Sequence, residues 1–161
     1  MKAEIIAVGT EILLGEIVDT DSQYIAARLP ALGIDLFWMT QVGDNLPRVR
    51  EALERSWQRS DVIFTTGGLG PTEDDLTREA IAAMLGEGMT VDPALEQALR
   101  DLFARRSRPM PERNVKQATL IPSAKALPNP VGSAPGWWTE KDEHVIISMP
   151  GVPREMYRMW R

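Results

Sequence analysis

The chain has no cysteine and a single histidine, His144, in 161 residues. Disulfides, thiolate zinc centres, iron–sulfur clusters and a cysteine nucleophile are thereby excluded. A site needing two histidines from one chain is excluded as well. A Ser-His-Asp arrangement would have to use His144, beside the charged turn Lys141-Asp142-Glu143. Any metal must be held mainly by oxygen, which suits magnesium, manganese or calcium better than zinc or copper. Long apolar runs are also missing. The N-terminus MKAEIIAVGTEILLGE reaches Glu4 at once, so neither a signal peptide nor a membrane span is expected, and the cytoplasm is the expected compartment. Nor is there an excess of positive charge. Eighteen basic against 23 acidic residues leave a net charge of −5, which argues against a nucleic-acid partner. The one basic cluster, Arg105-Arg106-Ser107-Arg108, reads as a solvated helix end.

What remains is ordinary globular material, 43% hydrophobic and 25% charged, of a length that fits one domain spanning residues 1–161. Strand and helix signals alternate. Ala3 to Val8 is a short apolar run closed by Gly9, read as a buried strand. Asp19, Thr20 and Asp21 offer caps to a helix carrying Ile25, Leu29 and Leu32, which Pro30 bends or shortens and Gly33 stops. Ile34 to Val42 is a second strand. Asn45 caps a helix with Pro47 in its first turn and Val49, Leu53 and Trp57 inward. Val62 to Thr66 is a third strand, followed by a helix from Leu76 to Leu85. Asp92-Pro93 starts another helix, ending near Arg106. The proline-rich stretch from Arg108 to Pro135 is expected to hold short extended pieces rather than helices. Trp137 to Glu140 and Val145 to Ser148 read as a hairpin, with one tryptophan of Trp137-Trp138 in the core, and Arg154 to Arg161 begins a last helix. Strand–helix alternation implies parallel pairing with right-handed crossovers, and the hairpin adds an antiparallel element. The expected fold is a three-layer α/β/α sandwich with a mostly parallel mixed sheet.

In such sheets ligands bind beyond the carboxyl ends of the strands. Four strand ends carry turn residues with polar groups beside them: Gly9-Thr10-Glu11, Gly43-Asp44-Asn45, Gly67-Gly68-Leu69-Gly70 and Pro150-Gly151-Val152-Pro153. The third continues as Pro71-Thr72-Glu73-Asp74-Asp75. Glycines after a strand let backbone N–H groups approach a ligand, and the next helix N-terminus adds partial positive charge, so phosphate or pyrophosphate suits the loop. It is neither a Walker A sequence nor a dinucleotide fingerprint. The acids after it would repel phosphate unless a cation such as magnesium lay between them. Acids at a helix N-terminus also serve as simple caps, and Asp44 as a turn residue. Glu11 is a candidate ligand or general base, or a polar loop residue. Glu155 could equally be an N-terminal helix acid.

The segments GTEILLGEIVDTDSQYIAARLPALGID, VGDN, TTGGLGPTEDDLT, MPERNVKQA, PNPVGSAPG and MPGVPREM together resemble the N-terminal domain of the CinA family. That domain shares the molybdopterin-binding fold of MoaB, MogA and part of MoeA. The resemblance covers nearly the whole chain. One departure is Asp21, where the CinA pattern usually has Asn. The resemblance implies ADP-ribose pyrophosphatase activity giving AMP and ribose 5-phosphate, with a divalent metal (magnesium or cobalt) and potassium as an activator. It assigns the metal to Asp44, Asp74 and Asp75. The catalytic base would then be metal-bound hydroxide or a carboxylate such as Glu11. Gly67, Gly68, Leu69, Gly70, Pro71 and Thr72 would cradle phosphate. Gly9, Thr10, Asn129, Gly132, Ser133, Pro150 and Gly151 would complete the ligand site. Relatives of the same fold bind or adenylylate molybdopterin, which keeps a pterin open as the alternative small-molecule partner. A third reading is a non-catalytic binding or oligomerisation module. A homo-oligomer, dimer or trimer, is implied, while the linking and deamidase domains of longer CinA proteins are expected to be absent.

Overall fold

A computed structural model describes all residues from Met1 to Arg161. The chain forms strands β1 (Lys2–Val8), β2 (Asp35–Val42), β3 (Val62–Thr66), β4 (Thr90–Val91), β5 (Thr119–Leu120), β6 (Ala124–Leu127), β7 (Gly136–Lys141) and β8 (His144–Met149). Its α-helices are α1 (Thr10–Leu13), α2 (Thr20–Ala26), α3 (Leu46–Arg59), α4 (Thr77–Leu85), α5 (Pro93–Arg105) and α6 (Pro153–Met159). The main sheet runs β2-β1-β3-β8-β7-β6, and β4 pairs with β5 apart from it. Strands β2, β1, β3 and β8 are parallel, whereas β7 and β6 join antiparallel. The mostly parallel mixed sheet expected from the sequence is thus present.

Periodicity of two explains the layers. Ile6 and Ile63 face one side and pack with Val49 and Leu53 of α3 and Ala80 and Ile81 of α4. Ile5 and Phe64 face the other side and pack with Ile25 of α2 and Met156 of α6. Helices on both faces leave β1 buried from Ala3 to Val8 and β3 buried along its whole length, as parallel central strands require. Asn45 caps α3 through Arg48 N at 3.2 Å, and Asp92 caps α5 through Leu95 N at 2.9 Å. The hairpin turns on Asp142 and Glu143, whose φ values of 49° and 64° are those of a two-residue turn matching strand twist. Trp137 is the core tryptophan, 1% exposed, and Trp138 faces outward.

Three local expectations change. The helix read from Asp19 to Gly33 is α2 followed by a separate 3-10 turn, Leu29–Leu32, because Pro30 cannot continue the α-helical ladder. The proline-rich stretch is not free of helix: Glu112–Ala118 is 3-10, and an Asn114-to-Gln117 side-chain bond of 3.0 Å spans its turn. Further on the stretch supplies β6, paired with β7 from Ala124↔Thr139 to Leu127↔Gly136. Short helix α1 also forms where only a loop was expected.

Candidate functional site

The strand order places the site. From β1 the chain crosses to β2 on one side and then to β3 on the other, so the crossovers diverge at the carboxyl ends of β1 and β3. A crevice opens at such a point. Gly9 leaves β1 there and Gly67-Gly68 leave β3 there. A cavity of about 430 Å³ follows, bounded also by the ends of β2 and β8 through Asp44, Pro150 and Gly151.

Gly67 and Gly68 have φ values of +88° and +71°. A Cβ on Gly67 would strike the Val8 carbonyl, and one on Gly68 the Thr77 hydroxyl. Only glycine lets β3 turn this tightly across the end of β1. Thr77 Oγ1 donates to Gly67 O at 2.8 Å, and Thr77 N donates to Gly68 O at 3.2 Å, tying the loop to α4. Gly67, Gly68, Leu69, Gly70, Pro71 and Thr72 all line the cavity.

Five carboxylates share it: Glu11, Asp44, Asp74, Asp75 and Glu155. Four of them have defined neighbours within the chain. Thr10 and Asp44 bond reciprocally, Thr10 N to Asp44 Oδ2 at 3.1 Å and Asp44 N to Thr10 Oγ1 at 3.0 Å. Thr10 therefore anchors Asp44 across β1 and β2 and does not line the cavity. Asp75 Oδ2 accepts from Thr72 N at 2.9 Å and Thr72 Oγ1 at 2.7 Å, so this carboxylate also folds the loop that precedes it. Glu155 Oε2 accepts from Asn129 Nδ2 at 2.7 Å. The Glu11 carboxylate lies over Gly9. Asp44, Asp74 and Asp75 border one cavity, yet no three acidic or imidazole side chains meet as a ready-made metal cage. The three-aspartate metal set expected from the sequence is not pre-assembled, because Asp44 and Asp75 are each turned toward a threonine. The donors suit a hard cation that takes one or two carboxylates and completes its shell with phosphate and water.

The segment PNPVGSAPG reaches the cavity through Ser133 and Ala134. Asn129 and Gly132 stand behind it. The Asn129 amide braces its own loop, accepting from Val131 N and Gly132 N and donating to Ala134 O at 3.0 Å, besides its bond to Glu155. His144 is far from this chemistry: its ring stacks on Trp57 at 4.5 Å and Nδ1 meets Ser60 O.

Two cations behind the loop escaped the sequence reading. Arg78 is fully buried and donates through Nη1 to Leu69 O at 2.8 Å and through Nη2 to Pro135 O at 2.9 Å. Burial lowers its pKa to about 10, with Glu79 and Asp75 acting in the opposite direction, so it stays charged at neutral pH. Lys116 donates to the carbonyls of Thr72 and Asp75 and pairs with Glu79 at 3.0 Å. The signal for Arg78 was visible. It occupies the same helical stripe as Ile81, Ala82 and Leu85, and a cation in an apolar stripe must be bound to something. The loop is thus backed by positive charge and faced by carboxylates.

Comparison with known proteins supplies the family. Residues 4–161 match the family described as a probable molybdopterin binding domain. A CinA-like protein of Thermomicrobium roseum is 54% identical over 160 residues, covering 99% of this chain and 39% of that protein. A CinA-like protein of Deinococcus radiodurans is 55% identical over 165 residues, covering all of this chain and 41% of the other. The chain spans about two-fifths of the length of these relatives. A crystal structure of the protein CinA, of unknown function, from Thermoplasma acidophilum superposes with a TM-score of 0.93 at 31% identity, covering 99% of this chain and 94% of that one. MoaB of Thermus thermophilus, described as a molybdopterin biosynthesis enzyme, shares the fold with a TM-score of 0.64 at 21% identity, covering 98% and 86%. The chain belongs to the probable molybdopterin binding domain family, among its CinA-like members.

Proposed function

We propose that this domain hydrolyses ADP-ribose, or a similar nucleoside-diphosphate sugar, to AMP and ribose 5-phosphate with a divalent metal. One observation carries the reading: a backbone phosphate loop and five carboxylates share one cavity at the divergence of β1 and β3. A ligand combining phosphates with a hard cation answers both halves of that cavity. Magnesium or cobalt would sit between one or two of Asp44, Asp74 and Asp75 and the pyrophosphate, offsetting like charge and polarising the phosphoryl oxygens. Backbone N–H groups of Gly68 to Gly70 hold the phosphates and stabilise charge that grows on them. Glu11 is the base. Thr10 engages Asp44, Thr72 engages Asp75 and Asn129 engages Glu155; with Asp74 assigned to the metal, Glu11 is the carboxylate left to take a proton from water. The water oxygen bonds to phosphorus as the bridging P–O bond breaks, and the leaving phosphate departs on the sugar or nucleoside half.

Incubating the purified chain with ADP-ribose, magnesium or cobalt, and potassium should yield AMP and ribose 5-phosphate by chromatography. Intact ADP-ribose under all these conditions would sink the proposal for this chain. The family description favours a second reading, binding of molybdopterin in the same cleft, with adenylylation as the reaction that would follow binding. Rescue of a strain lacking that step of molybdenum-cofactor synthesis, without ADP-ribose turnover, would select it. We further propose self-association. Edge strand β2 exposes Phe37, Trp38 and Met39, and apolar edges seek partners. Sedimentation should give a dimer or trimer; a monomer at tens of micromolar would contradict it.

A further inference from the structure

We infer that the cleft continues into a second cavity that takes the heterocyclic base of the nucleotide; this rests on the nucleotide reading above. The second cavity, about 380 Å³, lies between α5 and the 128–135 loop. It shares Gln117 and Ser133 with the carboxylate cleft, so the two spaces have a common wall. Its size falls within the usual range for small-molecule sites.

The linings differ in kind. The cleft carries five carboxylates, whereas the only charged group in the second cavity is Arg105. A phosphate–metal pair belongs in the first, and a neutral ring in the second. Leu95, Leu99 and Leu102 form one stripe of α5 at helical spacing, with Leu99 buried and the other two half-buried toward the cavity. Pro128, Pro130 and Pro135 form the facing wall, stiffened by their fixed φ. That wall is already braced. Arg106 Nη2 donates to Val131 O at 3.2 Å, and Asn129 closes the turn inside it. A flat base can lie on the leucine stripe beneath the Arg105 guanidinium.

The junction holds a spare donor. Gln117 is 1% exposed, and its Oε1 accepts from Asn114 at 3.0 Å. Its Nε2 reaches Leu69 O only at 3.5 Å, the limit of a hydrogen bond. A buried amide hydrogen this weakly paired gains by meeting a ring nitrogen or ribose oxygen.

The test measures binding of AMP, ribose 5-phosphate and inorganic pyrophosphate by calorimetry with magnesium, on the full chain. Ala98→Trp fills the cavity from an exposed position on α5; Leu102→Ser removes part of its wall without adding bulk, should the first variant fold poorly. Wild type should bind AMP more tightly than ribose 5-phosphate. Each folded variant should weaken AMP by about tenfold or more, while pyrophosphate changes by less than about twofold. The inference is overturned if AMP binds no better than ribose 5-phosphate, if both variants keep full AMP affinity, or if AMP and pyrophosphate weaken together. Failure of the hydrolase reading looks different: AMP selectivity and its loss in the variants persist, but ADP-ribose stays intact.

Discussion

Asp21 is the residue most at odds with its surroundings. It is 4% exposed, and its buried Oδ1 has no hydrogen-bond partner. Burial first, and the Asp19 charge second, push its pKa up to about 7. The sign of the consequence follows from linkage. Below the unfolded value near 4 the group is protonated in both states and costs nothing as a charge. As pH rises from about 4 to about 7, only the unfolded chain gives up the proton readily, so the native state loses stability, with the full loss above about 7. Asp21→Asn should therefore raise the melting temperature more at pH 8 than at pH 4 and flatten the profile between them. A gain of about 1 kcal/mol would appear as roughly 2–4 °C. Parallel melting curves for the two proteins across that range would contradict this. Asp75 poses the opposite question, whether its charge or its shape matters. Asparagine retains an acceptor for Thr72 N and Thr72 Oγ1, so Asp75→Asn should stay within about 0.5 kcal/mol of wild type while metal-dependent turnover disappears. An unfolded variant with normal specific activity in its residual folded fraction would reduce Asp75 to a loop staple.

At the scale of elements, the glycine loop makes a sharper claim than any helix. Gly67 combines a left-handed φ of +88° with a hydrogen-bearing Cα packed on the Val8 carbonyl. Gly67→Ala should cost about 1–3 kcal/mol from the backbone conformation alone, and more from displacing β1. Chemical denaturation measures this directly, and an unchanged midpoint would mean that the loop can turn another way. This loop was legible in the sequence because glycine, strand end and following helix are all local signals. So were β1, β3, α3 and α5, whose apolar periods and caps lie within a few residues. What was not legible depends on distant partners. Strand β6 is written in Ala124-Lys125-Ala126-Leu127, which has little intrinsic strand preference; it becomes a strand because β7 offers an edge. The 3-10 stretch at Glu112–Ala118 hides among prolines whose usual signal is extended chain. At the site, sequence brought Glu11, Asp44 and the GGLGPT loop to one place, but not the way Thr10 and Thr72 turn Asp44 and Asp75. The Thr10–Asp44 pairing spans 34 residues and leaves no periodic trace, whereas the Thr72–Asp75 bond is local but hidden, because acids there equally read as helix caps. Arg78 was missed for a different reason: its position in an apolar stripe was visible, but a charged residue is ordinarily read as solvent-facing.

For the molecule as a whole, charge decides how ligand and stability should couple. The chain carries −5 overall, and the cleft concentrates five carboxylates, while Arg78 and Lys116 lie behind the loop, Arg78 bonded to the Leu69 and Pro135 carbonyls and Lys116 to the Thr72 and Asp75 carbonyls and to Glu79. A bare nucleotide therefore approaches like charge with only backbone N–H groups in front. A divalent cation reverses that balance by joining phosphate to carboxylate. Binding to the native state alone stabilises it by mass action, by about 2.7 kcal/mol at ligand one hundred times its dissociation constant. For a chain of this size that is roughly 5–10 °C in melting temperature. AMP with magnesium should produce such a shift, AMP with a chelator should produce almost none, and magnesium alone should produce little because no metal cage is pre-assembled. The order matters for mechanism. A large shift from magnesium alone would mean that the aspartates close on the ion before the nucleotide arrives. A shift from AMP that survives the chelator would place recognition in the glycine loop and the base cavity, with the carboxylates serving some other purpose. An unchanged melting temperature under every condition would remove the nucleotide reading and favour a binding module that recognises something else.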